Sequence, residues 1–196
     1  YLNNTFLKLF DSNIQGAIKQ VKLPYRKNGG SGGTTQQGAN GLPCKIFLLS
    51  APEVHYEHSY IDSGEGAVLS YFASCVTNNA DSKRVAYLNG SAAYWWLRSP
   101  HTYYTNYVWY VFTDGGYNGN YASNSYGIRP ALLLNSDLLV SLDDEVEEDC
   151  CGECDCCGGN GLPSLDGIST ATLLEEIQRR AMRAGSVFMG EDGTDE

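Results

Sequence analysis

Apolar side chains recur with helical spacing in two places in the first half of the chain. From Ile14 to Val21 they follow an i, i+3, i+4, i+7 pattern, with Ser12 and Gln15 at capping-box spacing and Pro24 as a stop. A second stretch, Val68–Cys75, has its apolar residues on one side of a helix. The sequence therefore predicts two N-terminal helices.

Short aromatic and β-branched runs dominate from residue 45 onward. Lys45–Ser50 is typical of a buried strand, and the later runs are separated by Asn, Gly and Ser turns. They are Val85–Leu88, Tyr94–Leu97, Val108–Thr113 and Ile128–Leu134. Two helices followed by several antiparallel strands predict an α+β fold.

Residues 27–41 contain little that is apolar, and we expect a loop. Gly29–Gly33 formally matches the G-x-S-x-G of hydrolase nucleophile elbows. That motif requires a buried strand before it and a helix after it, and neither flank is predicted here. We interpret the glycines as loop residues.

Charge divides the chain into two parts. Residues 1–136 hold 10 Lys/Arg against 7 Asp/Glu, whereas residues 137–196 hold 3 against 16. We predict a folded domain over residues 1–142 and an acidic, Cys-rich tail over residues 143–196, with an amphipathic helix at 169–184. Neither part has a basic stripe for nucleic acid, and no apolar run is long enough to span a bilayer.

His101–Tyr126 is the most unusual segment. Of its 26 residues, 7 are Tyr and 4 are Asn, and Asp114 is its single charged side chain. Tyr combined with Ser, Gly and Asn is the composition of antibody paratopes, where Tyr supplies large contact area at low entropic cost. The alternative is that these tyrosines alternate on a half-buried strand, which suits Val108–Val111 better than the turns around it.

The genetic code offers a second observation on this segment. Randomising both adenines of an AAC codon reaches Asn, Tyr, His, Asp, Ser, Thr, Gly and others, but not Lys, Glu, Gln, Met or Trp. Apart from Trp109, every residue from 101 to 126 belongs to the reachable set.

Two strings frame the segment, Tyr94–Pro100 (YWWLRSP) and Gly127–Leu132 (GIRPAL). Together with Lys45–Ser50 they resemble the variable-region ends and central strand of a C-type-lectin-like family of bacteria and their prophages. That family includes target proteins of diversity-generating retroelements. The resemblance covers roughly residues 1–136. It implies a C-type-lectin-like fold with a twisted antiparallel sheet, of the type shared with formylglycine-generating enzymes, and a hypervariable surface that binds a protein or glycan.

We expect the ligand contacts to come from exposed polar and aromatic side chains of this segment. They are Thr102, Tyr103, Tyr104, Thr105, Asn106, Tyr107, Tyr110, Thr113, Tyr117, Asn118, Asn120 and Tyr121. Trp95, Trp96, Arg98 and Arg129 are expected to be scaffold. The two tryptophans anchor the segment, and the arginines pair with carboxylates or carbonyls at its two ends.

The sequence gives little indication of a metal site or a catalytic site in residues 1–142. The calcium-binding strings of animal C-type lectins are absent, and Asp114-Gly115-Gly116 is typical of a hairpin turn. Cys44 and Cys75 are expected to be buried apolar residues. His55 and His58, with nearby glutamates, are interpreted as a turn rather than a metal site. We therefore expect no enzyme activity and no cofactor in this domain.

The tail carries five cysteines in eight positions, of which Cys151 and Cys154 form a C-x-x-C pair. Zinc binding, disulfide cross-linking and an unstructured tail all remain open for them. The set is Cys150, Cys151, Cys154, Cys156 and Cys157. The helix at 169–184 is expected to dock on a particle or chaperone partner.

The sequence thus predicts a non-enzymatic receptor-binding protein or adhesin. Its partner would be a cell-surface protein or glycan, and its location a phage virion, as in tail-tip relatives, or a bacterial cell surface. The alternative is a fixed structural or assembly domain of a phage-like particle.

Overall fold

A computed structural model describes residues 1–134. The predicted tail, its cysteine cluster and the helix at 169–184 lie outside the described residues, as does the predicted boundary at 142. No helix within residues 1–134 has the length and apolarity needed to cross a membrane.

Helix is confined to short pieces. The chain starts with a π-helical turn, Leu2–Phe6, and a 3₁₀ turn, Leu7–Leu9, followed by α1, Ser12–Ala17. Four further 3₁₀ turns follow within residues 1–134. They are Gly38–Asn40, Ser63–Glu65, Ser70–Phe72 and Ser82–Arg84.

Both helix predictions need correction. The first helix ends at Ala17 because Ile18 turns extended and forms a β-bridge with Leu134, and Val21 lies in a strand. The second shrinks to the single turn at Ser70–Phe72. That turn and the one after it bury Phe72 and Cys75, which leaves Val68 exposed instead of on a helix face.

The described chain also contains twelve short strands. In order, β1 to β12 are Val21–Leu23, Tyr25–Arg26, Thr35–Gln36, Leu42–Cys44, Ile46–Leu48, Ala86–Leu88, Ser91–Ala93, Trp95–Pro100, Tyr107–Val111, Tyr117–Tyr121, Gly127–Ile128 and Pro130–Leu132. The pairs β1–β4, β2–β3, β5–β12 and β6–β7 form small antiparallel sheets. The expectation of a mixed fold with antiparallel strands is confirmed.

One larger sheet carries the tyrosine-rich segment. Its order is β10-β9-β8-β11, antiparallel except for β11, which runs parallel to β8 and so brings Gly127 beside Trp95. The β9–β10 hairpin turns through Asp114-Gly115-Gly116, with Gly115 at φ +78° and the Phe112 N–H donating to the Gly116 carbonyl. The predicted hairpin turn is confirmed.

Strict alternation along β8 builds the main core. Trp95 and Leu97 point inward beside Trp109 and Val111 of β9, while Trp96 faces the other side of the sheet. A smaller core, which includes Phe6, Phe10, Ile14, Ile18 and Ile46, packs the N-terminal helical turns onto β5. The free thiols of Cys44 and Cys75 are buried.

A buried ion pair joins these layers. Arg98 donates to both carboxylate oxygens of Glu53, at 2.5 and 2.6 Å, and both side chains are more than nine-tenths buried. The same guanidinium donates to the carbonyls of Pro24, Leu48 and Glu65. Arg98 lies in the stretch between Trp96 and Pro100, where the register of β8 against β9 shifts. It therefore fixes β8 against three other segments.

A second arginine, Arg84, is fully buried and its charge is stabilised without a carboxylate. It donates to the carbonyls of Val54, His55, Val76 and Asn79, and its guanidinium lies 4.2 Å from the centre of the Tyr56 ring. Carbonyl oxygens and a ring face thus supply the negative potential that a carboxylate supplies for Arg98.

Replacing Arg98 tests the ion pair. Arg98→Leu leaves the Glu53 carboxylate buried without its counterion, so we expect a loss of about 3–5 kcal/mol in the free energy of unfolding. Urea unfolding measures the change. Lys27→Leu, at an exposed lysine, is the control and should change stability by less than about 0.5 kcal/mol. Equal effects of the two variants would contradict the account.

Glu65 gives a pH-dependent prediction. Its side chain is fully buried, and burial raises the pKa of its carboxyl despite the Arg26 N–H that it accepts and the charge of Arg98. The folded protein therefore loses stability as pH rises through that raised pKa. Glu65→Gln should be more stable than the parent at pH 7, and the gain should vanish near pH 4. A constant difference across urea titrations at these pH values would contradict this.

Candidate functional site

Five tyrosines form a continuous exposed surface at one end of the large sheet, which we name the tyrosine array. Its members, in order of contact, are Tyr60, Tyr103, Tyr104, Tyr107 and Tyr121, with successive ring centroids 5.5, 4.9, 4.9 and 4.6 Å apart. The side chains of Tyr60, Tyr103, Tyr104 and Tyr121 are 40%, 60%, 48% and 49% exposed, respectively. Tyr107 is half-buried.

Strand register explains part of the array. Tyr107 and Tyr121 are direct partners across β9 and β10, on the same face as Trp109 and the core. Tyr107 and Trp109 point to the same face of β9. Trp109 lies over the core, whereas Tyr107 lies nearer the end of the hairpin and is only half-buried. Tyr103 and Tyr104 come from the loop between β8 and β9.

His101 supports that loop from below. The imidazole stacks on Trp109 at 5.1 Å and 13° and is almost fully buried. Its Nδ1 accepts the backbone N–H groups of Tyr103 and Tyr104, at 3.1 and 3.2 Å. Both exposed tyrosines are therefore positioned by one buried acceptor.

The glycine-rich loop supports the array from the side. The Gly30 N–H donates to the His101 carbonyl at 2.9 Å, and Gly30 has φ +75°. A Cβ on Gly29 would lie 2.9 Å from the carbonyl oxygens of Tyr104 and Thr105. Glycine is needed here because the two loop backbones touch.

An ion pair holds the glycine-rich loop in turn. Arg26 donates to Asp62 at 3.0 Å and to the Gly30 carbonyl at 2.8 Å. Burial alone would raise the pKa of Asp62, but hydrogen bonds from Thr35, the Gly64 N–H and Arg26 hold that pKa below its ordinary value. The loop predicted from its glycines is thus anchored at Gly30, and Ser31 lies exposed in its turn with β3 following.

The opposite face of the sheet holds a second aromatic cluster. Tyr110 lies at its centre, in contact with Tyr94, Trp96, Phe112 and Tyr126, and is 8% exposed. Burial, with Tyr126 close by, raises the pKa of Tyr110 to about 12. Tyr110, a predicted ligand contact, is buried in this second cluster and is not part of the tyrosine array.

Tyr117 is also largely committed to packing. Its ring stacks on buried Tyr56 at 4.1 Å, and its hydroxyl donates to Asn78 at 2.9 Å and to the Glu57 carbonyl at 3.3 Å. It stands at the start of β10, at the opposite end of the strand from Tyr121.

The remaining predicted contacts divide between the two ends and faces of the hairpin. Thr105 and Asn106 are exposed beside the array, and Thr102 is half-buried. Thr113 is exposed at the far turn. Asn118 and Asn120 share a face with Tyr110, and the Asn120 amide donates to the Tyr126 hydroxyl at 2.9 Å.

The four predicted scaffold residues make the following contacts. Trp95 is fully buried, its indole N–H donates to the Arg84 carbonyl, and Trp96 contacts Tyr110 and Tyr126. The guanidinium of Arg129 lies 5.3 Å from the Trp95 ring. Arg98 makes the ion pair with Glu53 described above.

A groove of about 700 Å³ adjoins the array. His58 and Ile61 line it, and His58 also contacts the rings of Tyr60 and Trp109. His55, another lining residue, has both ring nitrogens engaged, with the Phe72 carbonyl and the Thr77 hydroxyl. The groove thus meets the tyrosine array at the contact between His58 and Tyr60.

The described residues hold no group of three or more metal-ligating side chains. Glu53, which the sequence brings near His55, turns inward to Arg98 instead. The array itself consists of uncharged side chains. Its chemistry is therefore contact through ring faces, hydroxyl groups and neighbouring amides.

A family model described as a domain of unknown function, DUF6273, matches residues 1–136, more than two thirds of the chain. The chain belongs to the DUF6273 family. No curated protein and no solved structure matches it. The described residues lie wholly within the matched part, so the tyrosine array is a feature of this DUF6273 domain.

Sequence reasoning missed several residues of the site. Tyr60 lies outside the tyrosine-rich segment, and no local pattern links it to Tyr103. His101 was counted in the segment but not given a role, although a lone His among tyrosines is a candidate buried acceptor. The sequence places Glu53 close to His55 and His58, and nothing local indicates its ion-pair partner Arg98, 45 residues away.

Two glycines of the same loop provide a matched test of the support for the array. Gly30→Ala forces a left-handed backbone on a side chain whose Cβ would lie 2.6 Å from Thr105 Cγ2, so we expect a loss of about 1–2 kcal/mol. Gly32→Ala meets nothing within 4 Å and should be neutral or slightly stabilising. Urea unfolding compares them, and equal values would contradict the packing.

Proposed function

We propose that this DUF6273 domain is a non-enzymatic ligand-binding module and that the tyrosine array is its contact surface. The observation that carries the proposal is a continuous run of exposed, uncharged aromatic rings held on a buried support. Four of the five rings keep 40–60% of their surface accessible to a partner.

The physical argument concerns entropy and desolvation. Tyrosine loses two torsions on binding and offers both a ring face and a hydroxyl, which is why it dominates binding surfaces. Because Tyr103 and Tyr104 are already fixed through His101, less freedom remains to be lost. A surface without charges avoids the cost of burying them.

The resemblance of the framing strings to retroelement-diversified C-type-lectin-like proteins supports a partner on a cell surface, either a protein or a glycan. Under this proposal the fold is C-type-lectin-like, the exposed positions are diversified, and the protein acts on a phage virion or a bacterial surface. Trp95, Arg98 and Arg129 would be the constant frame.

Removing array side chains tests the proposal. The triple variant Tyr103→Ala, Tyr104→Ala, Tyr121→Ala should lose at least tenfold in affinity, because truncating aromatic anchors typically costs about 2 kcal/mol or more. Labelled full-length chain would be applied to a glycan array and to a panel of bacterial cells and surface-protein extracts. The melting temperature of each variant is recorded in parallel.

The matched control is Tyr87→Ala, an exposed tyrosine in the separate β6–β7 hairpin. It should leave binding unchanged. Equal binding by the triple variant and the parent, or loss of binding only together with loss of folding, would contradict the tyrosine array as the contact surface.

A second candidate is a structural or assembly domain of a phage-like particle. The observation in its favour is a set of exposed apolar residues around the Ser70–Phe72 turn, namely Val68, Leu69, Tyr71 and Val76. Such residues are suited to packing against a neighbouring subunit.

A further inference from the structure

The imidazole of His101 is placed to respond to protons. Its Nδ1 accepts two backbone N–H groups, and an acceptor nitrogen must carry a lone pair rather than a proton. The described state of the loop therefore requires neutral His101, or at least an unprotonated Nδ1. Protonating that atom would place three N–H groups against one another.

We propose that His101 is a proton-controlled clasp that positions Tyr103 and Tyr104 and releases them when the imidazole becomes charged. This regulation concerns the tyrosine array and rests on the proposed function for its effect on binding. At neutral pH the array is assembled, and in acid its two most prominent loop tyrosines lose their common anchor.

Among the described residues, the groups that face His101 are aromatic rings, a second imidazole and a glycine, and no carboxylate is among them. Trp109 and Tyr107 face it from β9, Gly119 from β10, Tyr60 and His58 from the 58–60 segment, and Tyr104 from its own loop. The glycine-rich loop contributes the Gly30 N–H, bonded to the His101 carbonyl.

Burial lowers the pKa of His101 below its ordinary value, and the charge of His58 lowers it further. The sign follows from linkage. The stability that the neutral ring contributes is fully present above about pH 6.5, the unfolded pKa, and declines as pH falls toward the lowered folded pKa. The clasp therefore opens on the acid side.

Hydrogen exchange tests the clasp without any ligand. Amide exchange at Tyr103 and Tyr104 would be measured by NMR in the full chain between pH 7.5 and 4.5, corrected for intrinsic rates, while the His101 imidazole shift is followed. We expect protection of both amides to fall at least about tenfold as the imidazole titrates. The Arg98 amide, which donates to the Leu49 carbonyl, reports global opening and should stay protected.

Two substitutions separate the acceptor from its protonation. His101→Asn can keep an acceptor oxygen near the place of Nδ1 but does not titrate, so protection should become independent of pH. His101→Leu removes the acceptor and should leave both amides unprotected at every pH. His58→Gln, as a control, should raise the pKa of His101 and keep the transition.

Protection that is unchanged while His101 titrates, or an identical pH dependence in His101→Asn, would overturn the clasp. Either result would leave the ligand surface intact, since no ligand enters this experiment. Conversely, a triple tyrosine variant that binds as well as the parent would overturn the ligand surface and leave the clasp standing.

Discussion

The fold depends on one buried cation being fully satisfied. Arg98 lies where the register of β8 shifts, and it reaches two oxygens of Glu53 and three backbone carbonyls from other segments. Taking two charges out of water is costly, and the cost is offset only when every donor finds an acceptor. That requirement fixes where β8, β5 and the Ser63–Glu65 turn lie relative to one another, and short strands alone would not fix it.

Because the buried arginines and Glu53 hold the segments together, the exposed rings of the tyrosine array are not needed for that purpose. Glu53, Arg84 and Arg98 are buried charged side chains, whereas the tyrosine array at the end of the sheet carries no charge. The array rests on a series of contacts. His101 stacks on Trp109 and accepts the Tyr103 N–H, and the Gly30 N–H of the glycine-rich loop donates to the His101 carbonyl. A surface built in this way can change its exposed side chains without disturbing the ion pair.

The sequence predicted the elements whose signal is local. Alternation in β8 and β9, the strand at Ile46–Leu48 and the hairpin turn were all recoverable from spacing and turn residues. The helix predicted at Val68–Cys75 was wrong because buried Phe72 and Cys75 also fit a chain of irregular turns. The Arg98–Glu53 pair and the place of Tyr60 in the array depend on contacts far apart in sequence, which no periodicity encodes.

Deep sequencing of codons 94–132 across the population that carries this gene tests the central claim most directly, that a variable surface is carried on a constant frame. The account predicts replacements in codons 102–107 and 118–121, at positions that are adenines in a nearby template copy, with Trp95, Arg98 and Arg129 unchanged. One sequence in every genome, or replacements as frequent at Trp95 and Arg98 as at Tyr103, would contradict it.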